Sequence, residues 1–254
     1  MIDAHVHVCV LDEEHYPFTP LLGYLPAEPA PVEALIARLD ACGVDAAVLV
    51  QPSYYGYDNR YLLECLARYP QRCSGVCLAD PVGAHFAEAC RGVRLNAVGH
   101  PGSGWLTQTA VAGFWRKAEE DGVVVCVQCG PEQVAELTAV AMAHPGAACV
   151  IDHLARGAWD DLLAAAEVRN LFLKLSGLSR LSAEPYPHRD LWPRLAALVR
   201  AFGPERCLWG SDANGVAVAP YRAQVELWRD VLPLGTAERQ HILAGTAQRL
   251  FFDP

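Results

Sequence analysis

Apolar residues along this chain fall into two alternating patterns. Short, nearly continuous apolar runs appear at IDAHVHV (2–8), DAAVLVQ (45–51), CSGVCLA (73–79), GVRLN (92–96), GVVVCVQ (122–128), ACVIDH (148–153), LFLKLS (171–176) and RCLWGS (206–211). Runs of this length, rich in Val, Leu, Ile and Cys, suit strands covered on both faces. Between them, apolar positions recur at helical spacing in PVEALIARLDACG, NRYLLECLARYP, TAVAGFWRKAEEDG, EQVAELTAVAMAH, AWDDLLAAAEV, DLWPRLAALVRAFG and TAERQHILAGTAQRLF. The first of these stops at Gly43 and the second at Pro70, residue types that end helices. Eight strands alternating with helices predict an α/β chain folded as a parallel (β/α)8 TIM barrel. An open sheet binding a dinucleotide would carry GxGxxG after a strand, and the nearest glycine cluster, HPGSGW (100–105), lacks that spacing.

The 254 residues match one barrel, and no linker, repeat or low-complexity stretch divides them, so a single domain over 1–254 is expected. The proline-rich segment from Cys9 to Pro31 is too long for an ordinary β/α loop and reads as a substrate-covering loop. A net charge of −9 argues against nucleic acid as a partner, but a few arginines inside a pocket can still hold a small anion. There is no signal-peptide pattern and no apolar run of membrane-spanning length, so a cytoplasmic protein without a membrane partner is expected. Exposed apolar residues in the last helices permit a homodimer. The ten cysteines are scattered through apolar segments and read as buried, reduced thiols. Cys126 and Cys129 have metal-like spacing, but residues three apart on a strand face opposite sides, so they too read as core.

Barrel active sites form at the carboxyl ends of the strands. His5 and His7, two apart on the first strand, project to one face. Asp212 follows the last strand, and barrel closure brings first and last strands together. His5, His7, His153 and Asp212 therefore converge on one rim, the pattern of a hydrolytic site. Other strand ends supply Gln51, Ser53, Asp80, Arg94, Asn96, Gln128, Arg156, Lys174, Ser176 and Arg180. Imidazole, carboxylate and guanidinium are the groups that polarise a carbonyl, activate water and hold an anion. Asp3 and Asp152 read as structural, and Lys174 as a hydrogen-bonding residue across the barrel. The same four-residue set could hold a zinc or manganese ion.

DAHVHV, YPFTP with YLPAEPAP, GVRLN, VIDHLAR, KLSGLSR and LWGSD occur in order over nearly the whole chain. Together they resemble the amidohydrolase-related (amidohydrolase 2) lactonases, in particular those that open pyrone dicarboxylates. The resemblance implies a distorted barrel that hydrolyses a cyclic ester of a small carboxylated molecule. It implies that His5, His7 and His153 polarise the lactone carbonyl and that Asp212 activates water. It further implies that Arg94, Arg156 and Arg180 clasp substrate carboxylates, with Tyr24 and Ser53 as further contacts. Metal-independent chemistry is the expectation; a bound zinc or manganese ion would sit on His5, His7, His153 and Asp212. The chain departs from the pyrone pattern at His100, a candidate substrate contact that stands where a second arginine is usual. It departs again after Asp212, where Ala213, Asn214 and Gly215 replace Trp-Pro-His. A lactone with one carboxylate or a sugar-acid skeleton is therefore as well suited as the dicarboxylate. The alternative on the same residues is a metal-dependent decarboxylase or a sugar-lactone isomerase.

Overall fold

The computed structural model describes residues 1–100, 102, 104–214 and 220–253. Each apolar run forms a strand: β1 (Ile2–Val6), β2 (Ala46–Val50), β3 (Cys73–Leu78), β4 (Gly92–Asn96), β5 (Val124–Gln128), β6 (Cys149–Ile151), β7 (Leu171–Leu175) and β8 (Cys207–Trp209). Neighbours are parallel and follow chain order from β1 to β8. One parallel bridge, Val6 to Ala213, closes the ring. There the Asp212 amide donates to the His5 carbonyl at 2.8 Å and the His7 amide to the Ala213 carbonyl at 3.1 Å. The expected (β/α)8 barrel is the fold, and its seam lies at the predicted site.

The helices follow the periodic segments: α1 (Val32–Cys42), α2 (Arg60–Arg68), α3 (Thr109–Asp121), α4 (Val134–Ala143), α5 (Trp159–Ala165), α6 (Leu178–Leu181), α7 (Trp192–Phe202), α8 (Tyr221–Glu226), α9 (Thr236–Gln240) and α10 (Thr246–Phe251). Residues 79–91, between β3 and β4, hold no helix, which makes the barrel irregular on that side. Among the described residues no helix is long and apolar enough to cross a membrane. Pro101 and Ser103 of the glycine cluster, and Gly215 after Asp212, lie outside the described residues.

Small inward residues, among them Ala4, Ala46, Val76, Val124 and Val150, fill the lower barrel around Phe251 of α10. In β1 the pairing register shifts between Asp3 and Val6. Ile2 and Ala4 belong to this inner cluster and Val6 to the outer one, so the irregularity turns His5 and His7 inward at the rim. A bulge that re-aims side chains is common beside active sites.

Cysteine chemistry departs from expectation at one place. Eight cysteines are free and buried, but Cys77 and Cys90 form a disulfide. β3 and the end of the helix-free connection bring their Cα atoms to 6.0 Å, within bonding range; spacing alone did not reveal this pairing.

Gly210 follows β8 where the seam is tightest. A Cβ there would lie 2.7 Å from His5 Cβ and 2.9 Å from His5 N, both fixed by the strand. Gly210→Ala is therefore expected to cost about 1–3 kcal/mol through overpacking, read as a lower Tm. Gly113→Ala, in α3 with nothing within 4 Å of the added methyl, should gain up to about 1 kcal/mol from helix propensity. Equal melting temperatures for the two variants would refute the seam argument.

Candidate active site

The carboxyl ends of the strands open into a cavity of ≈ 570 Å³. His7, Tyr24, Arg94, His153, Arg156, Arg180 and Asp212 line it, joined by Leu22, Gln128, Cys129 and Asp152. His5 is fully buried behind this surface, its ring centroid 5.0 Å from that of His7 and 4.4 Å from that of His153. Asp212 is the hub. Its Oδ1 lies 3.4 Å from His7 Nε2, 3.7 Å from His5 Nε2 and 3.9 Å from His153 Nε2. Arg180 ion-pairs with Oδ2 of the same carboxylate.

The chain after β6 reaches the site in a rare conformation. His153, Leu154, Ala155 and Arg156 have φ of 51°, 56°, 43° and 57°, one left-handed turn of ordinary L-residues. Each such residue costs roughly 1–2 kcal/mol, opposed here by complete burial of Leu154 and Ala155. The turn brings both His153 and Arg156 to the cavity wall. Strain of this kind concentrates at functional sites, and Asp212 shares it with φ of 56°.

Partners on the far side of two rings fix which nitrogen carries hydrogen. His7 Nδ1 lies 2.7 Å from the Val50 carbonyl oxygen. A carbonyl only accepts, so Nδ1–H donates and Nε2 faces Asp212 with its lone pair when the ring is neutral. His5 is the reverse. Its Nδ1 lies 3.1 Å from Lys174 Nζ, an ammonium that only donates, so the hydrogen of neutral His5 sits on Nε2. That Nε2 is buried without a hydrogen-bond partner. His153 Nδ1 meets the Ser176 hydroxyl at 2.8 Å, which can serve either tautomer.

The charges below the rim form one network. Arg94 Nε donates to Asp152 Oδ2 at 2.9 Å, and Lys174 Nζ ion-pairs with Asp152 Oδ1 at 3.0 Å. Burial alone would raise the Asp152 carboxyl, but Lys174, His5 and Arg94 outweigh it and hold it well below the usual range. Burial, reinforced by Lys174, pushes His5 well below an ordinary imidazole and keeps it neutral. Burial likewise lowers His153 to about 4 against the pull of Asp212 and Asp152. For Asp212, burial raises the carboxyl, and the facing imidazoles, His153 foremost, bring it well below the usual range. Asp3 differs: burial pushes it up to about 6 although Ser211 and the His5 amide donate to it. It ties β8 to β1 outside the cavity.

Two expected contacts lie elsewhere. Ser53 is buried after β2 with its hydroxyl unpartnered, and it is not among the residues lining the cavity. His100 lines an adjoining pocket of ≈ 190 Å³, stacked on Trp105 at 4.1 Å; Leu22 and Arg94 line both spaces. Sequence reasoning placed Asp152 and Lys174 in structural roles without joining them to His5. The available signal was a lysine in an otherwise apolar strand. His5, His153 and Asp212 each offer one ligand atom within 4.8 Å of the others, the geometry of a possible metal site.

Comparisons with known proteins place the chain in a family. The profile of the amidohydrolase family matches residues 2–252. A 4-sulfomuconolactone hydrolase of Rhizobium radiobacter is 26% identical over 226 residues, 83% of this chain and 74% of that protein. Among solved structures, a probable 2-pyrone-4,6-dicarboxylic acid hydrolase of Acinetobacter baumannii, with citric acid bound, superposes with a TM-score of 0.86. It is 23% identical, and the match covers 98% of each chain. A Pseudomonas putida protein of the same designation gives 0.79 at 28% identity, over 98% of this chain and 96% of that one. An amidohydrolase of Burkholderia multivorans with bound zinc gives 0.76 at 24% identity, over 100% and 99%. With the profile spanning almost every residue and the site built where such barrels build theirs, the chain belongs to the amidohydrolase family.

Proposed function

We propose that this enzyme hydrolyses the ester of a lactone that carries an anionic group. One observation carries the reading: a carboxylate, Asp212, stands among three imidazole edges in a cavity that Arg94, Arg156 and Arg180 also line. The relatives named for lactone and pyrone substrates support it. The arginines are suited to a carboxylate or similar anion, and His100 in place of a further arginine favours a single anionic group.

The tautomers divide the labour. Asp212 Oδ1 and His7 Nε2, 3.4 Å apart, are two acceptors that can hold one water through both its hydrogens. The water oxygen then attacks the carbonyl carbon, and Asp212 takes its proton. The oxyanion that forms receives Nε2–H from His153 when Ser176 donates to its Nδ1, while the Nε2–H of His5 faces Asp212 Oδ1 at 3.7 Å from behind the cavity wall. Collapse breaks the acyl–oxygen bond of the ring, and Asp212 returns the proton to the departing oxygen. The products are a carboxylate and an alcohol or enol. This narrows the sequence expectation, which set all three histidines on the carbonyl. A divalent ion on His5, His153 and Asp212 does not fit this pattern. While Lys174 donates to Nδ1, His5 Nε2 carries hydrogen and has no lone pair for a metal.

A panel of carboxylated pyrones, muconolactones and sugar lactones, followed by acid release with a pH indicator, tests the reading. Acid release from anionic lactones, undiminished by chelator, is the expected result. Carbon dioxide release from carboxylated substrates without ester cleavage would replace it with the decarboxylase reading.

A further inference from the structure

We propose that Lys174 is a positioning residue that fixes His5 as an Nε2–H donor and thereby keeps this rim a hydrogen-bonding centre in place of a metal centre. The inference deepens the reading of the site as a lactone hydrolase and rests on it only for the use made of that donor.

Lys174 lies on β7, fully buried, with its chain directed into the barrel beneath the rim. Its Nζ donates to His5 Nδ1 at 3.1 Å and to Cys126 Sγ at 3.5 Å, and ion-pairs with Asp152 Oδ1 at 3.0 Å. An ammonium has three N–H groups and no lone pair, so whatever ring nitrogen it touches must accept. The consequence appears on the opposite edge of the ring, where His5 Nε2 is buried, unpartnered and 3.7 Å from Asp212 Oδ1.

The opposite arrangement is also built into the site and is held off. Asp152 Oδ1 lies 3.5 Å from His5 Nδ1 and accepts no directed hydrogen bond of its own. A carboxylate in that place is the usual partner of a metal-bound histidine, taking its distal N–H and freeing the other nitrogen for the ion. Here Lys174 stands nearer to Nδ1 than Asp152 does. Removing the ammonium leaves Asp152 as the partner of Nδ1, and a hydrogen drawn there frees Nε2. His5, His153 and Asp212, whose ligand atoms already lie within 4.8 Å of one another, would then all present lone pairs. One inward side chain thus separates two chemistries on the same barrel rim.

The test compares the whole protein with Lys174→Met and Lys174→Arg. Histidine 15N shifts read the tautomer, and calorimetric titration with zinc ion alone reads the metal. In the unsubstituted protein His5 should show Nε2–H. Lys174→Met should convert it to Nδ1–H and tighten zinc binding by roughly 10–100-fold, the range of such outer contacts. Lys174→Arg, which keeps a donor, should hold the original tautomer and the weaker affinity. An Nδ1–H tautomer in the unsubstituted protein overturns the proposal without any variant having to fold. Equal zinc affinity in a folded Lys174→Met protein and the unsubstituted one overturns it as well. Neither readout needs a substrate, so failure of the lactone reading is a separate result.

Discussion

Asp212→Asn is expected to lower kcat on an anionic lactone by about 10²–10⁴-fold, the range for losing a positioned proton acceptor. The amide keeps the shape of the carboxylate but cannot accept the water's proton. Substrate affinity should survive, because Arg180 loses its ion pair with Oδ2 and becomes a freer partner for the substrate anion. Single-turnover kinetics with a separate binding titration would divide the two effects. The pH profile of the unsubstituted enzyme gives an independent check. Asp212 is held well below the ordinary carboxylate range once the imidazoles have overcome burial, and His153 is lowered to about 4. Both working forms, carboxylate and neutral ring, exist above those values and are lost as pH falls through them. These two groups therefore impose no loss of activity between neutral pH and about pH 4. An acid limb well above pH 4 would mean that a group other than Asp212 and His153 sets the working form. Turnover that survives in Asp212→Asn would end the mechanism altogether.

The parts of this site that the sequence revealed are those that follow from strand periodicity. His5 and His7 are two apart, so they share a face in any strand. Asp212 ends the last run, so barrel closure brings it to them. Arg94 lies within β4 and Arg156 and Arg180 follow strands, and all three reach the same cavity. The illegible parts depend on contacts between residues far apart in the chain. The tautomer of His5 is set by Lys174, 169 positions away, and that of His7 by a backbone carbonyl 43 positions away. The left-handed turn at 153–156 contains no glycine or asparagine to announce it; buried packing of Leu154 and Ala155 holds it. Strict alternation in β1 would also leave the order of inward residues unexplained without the irregularity between Asp3 and Val6. The disulfide arises for the same reason, from proximity that linear spacing does not record.

Arg180→Met should separate recognition from chemistry. The Arg180 side chain is 33% exposed and lines the cavity while ion-pairing with Asp212. An anionic lactone entering the cavity competes with Asp212 for the guanidinium, so binding the substrate and releasing the base become one event. Without the guanidinium, a charged hydrogen bond worth about 1.5–3 kcal/mol is lost, and KM for an anionic lactone should rise roughly 10–100-fold. A neutral lactone makes no such contact, and its KM should stay nearly unchanged. Removing a cation from beside a carboxylate favours the protonated form, so the pKa of Asp212 should rise. A more basic carboxylate is a better proton acceptor wherever it remains ionised. Accordingly kcat for the neutral lactone at neutral pH should hold or increase, and the acid limb of its profile should move upward. Parallel initial-rate measurements on one anionic and one neutral lactone from about pH 3 to pH 8 decide the matter. Equal losses on both substrates would mean that Arg180 supports the structure of the site and recognises no substrate anion. An unmoved acid limb would mean that Asp212 without Arg180 still titrates below His153.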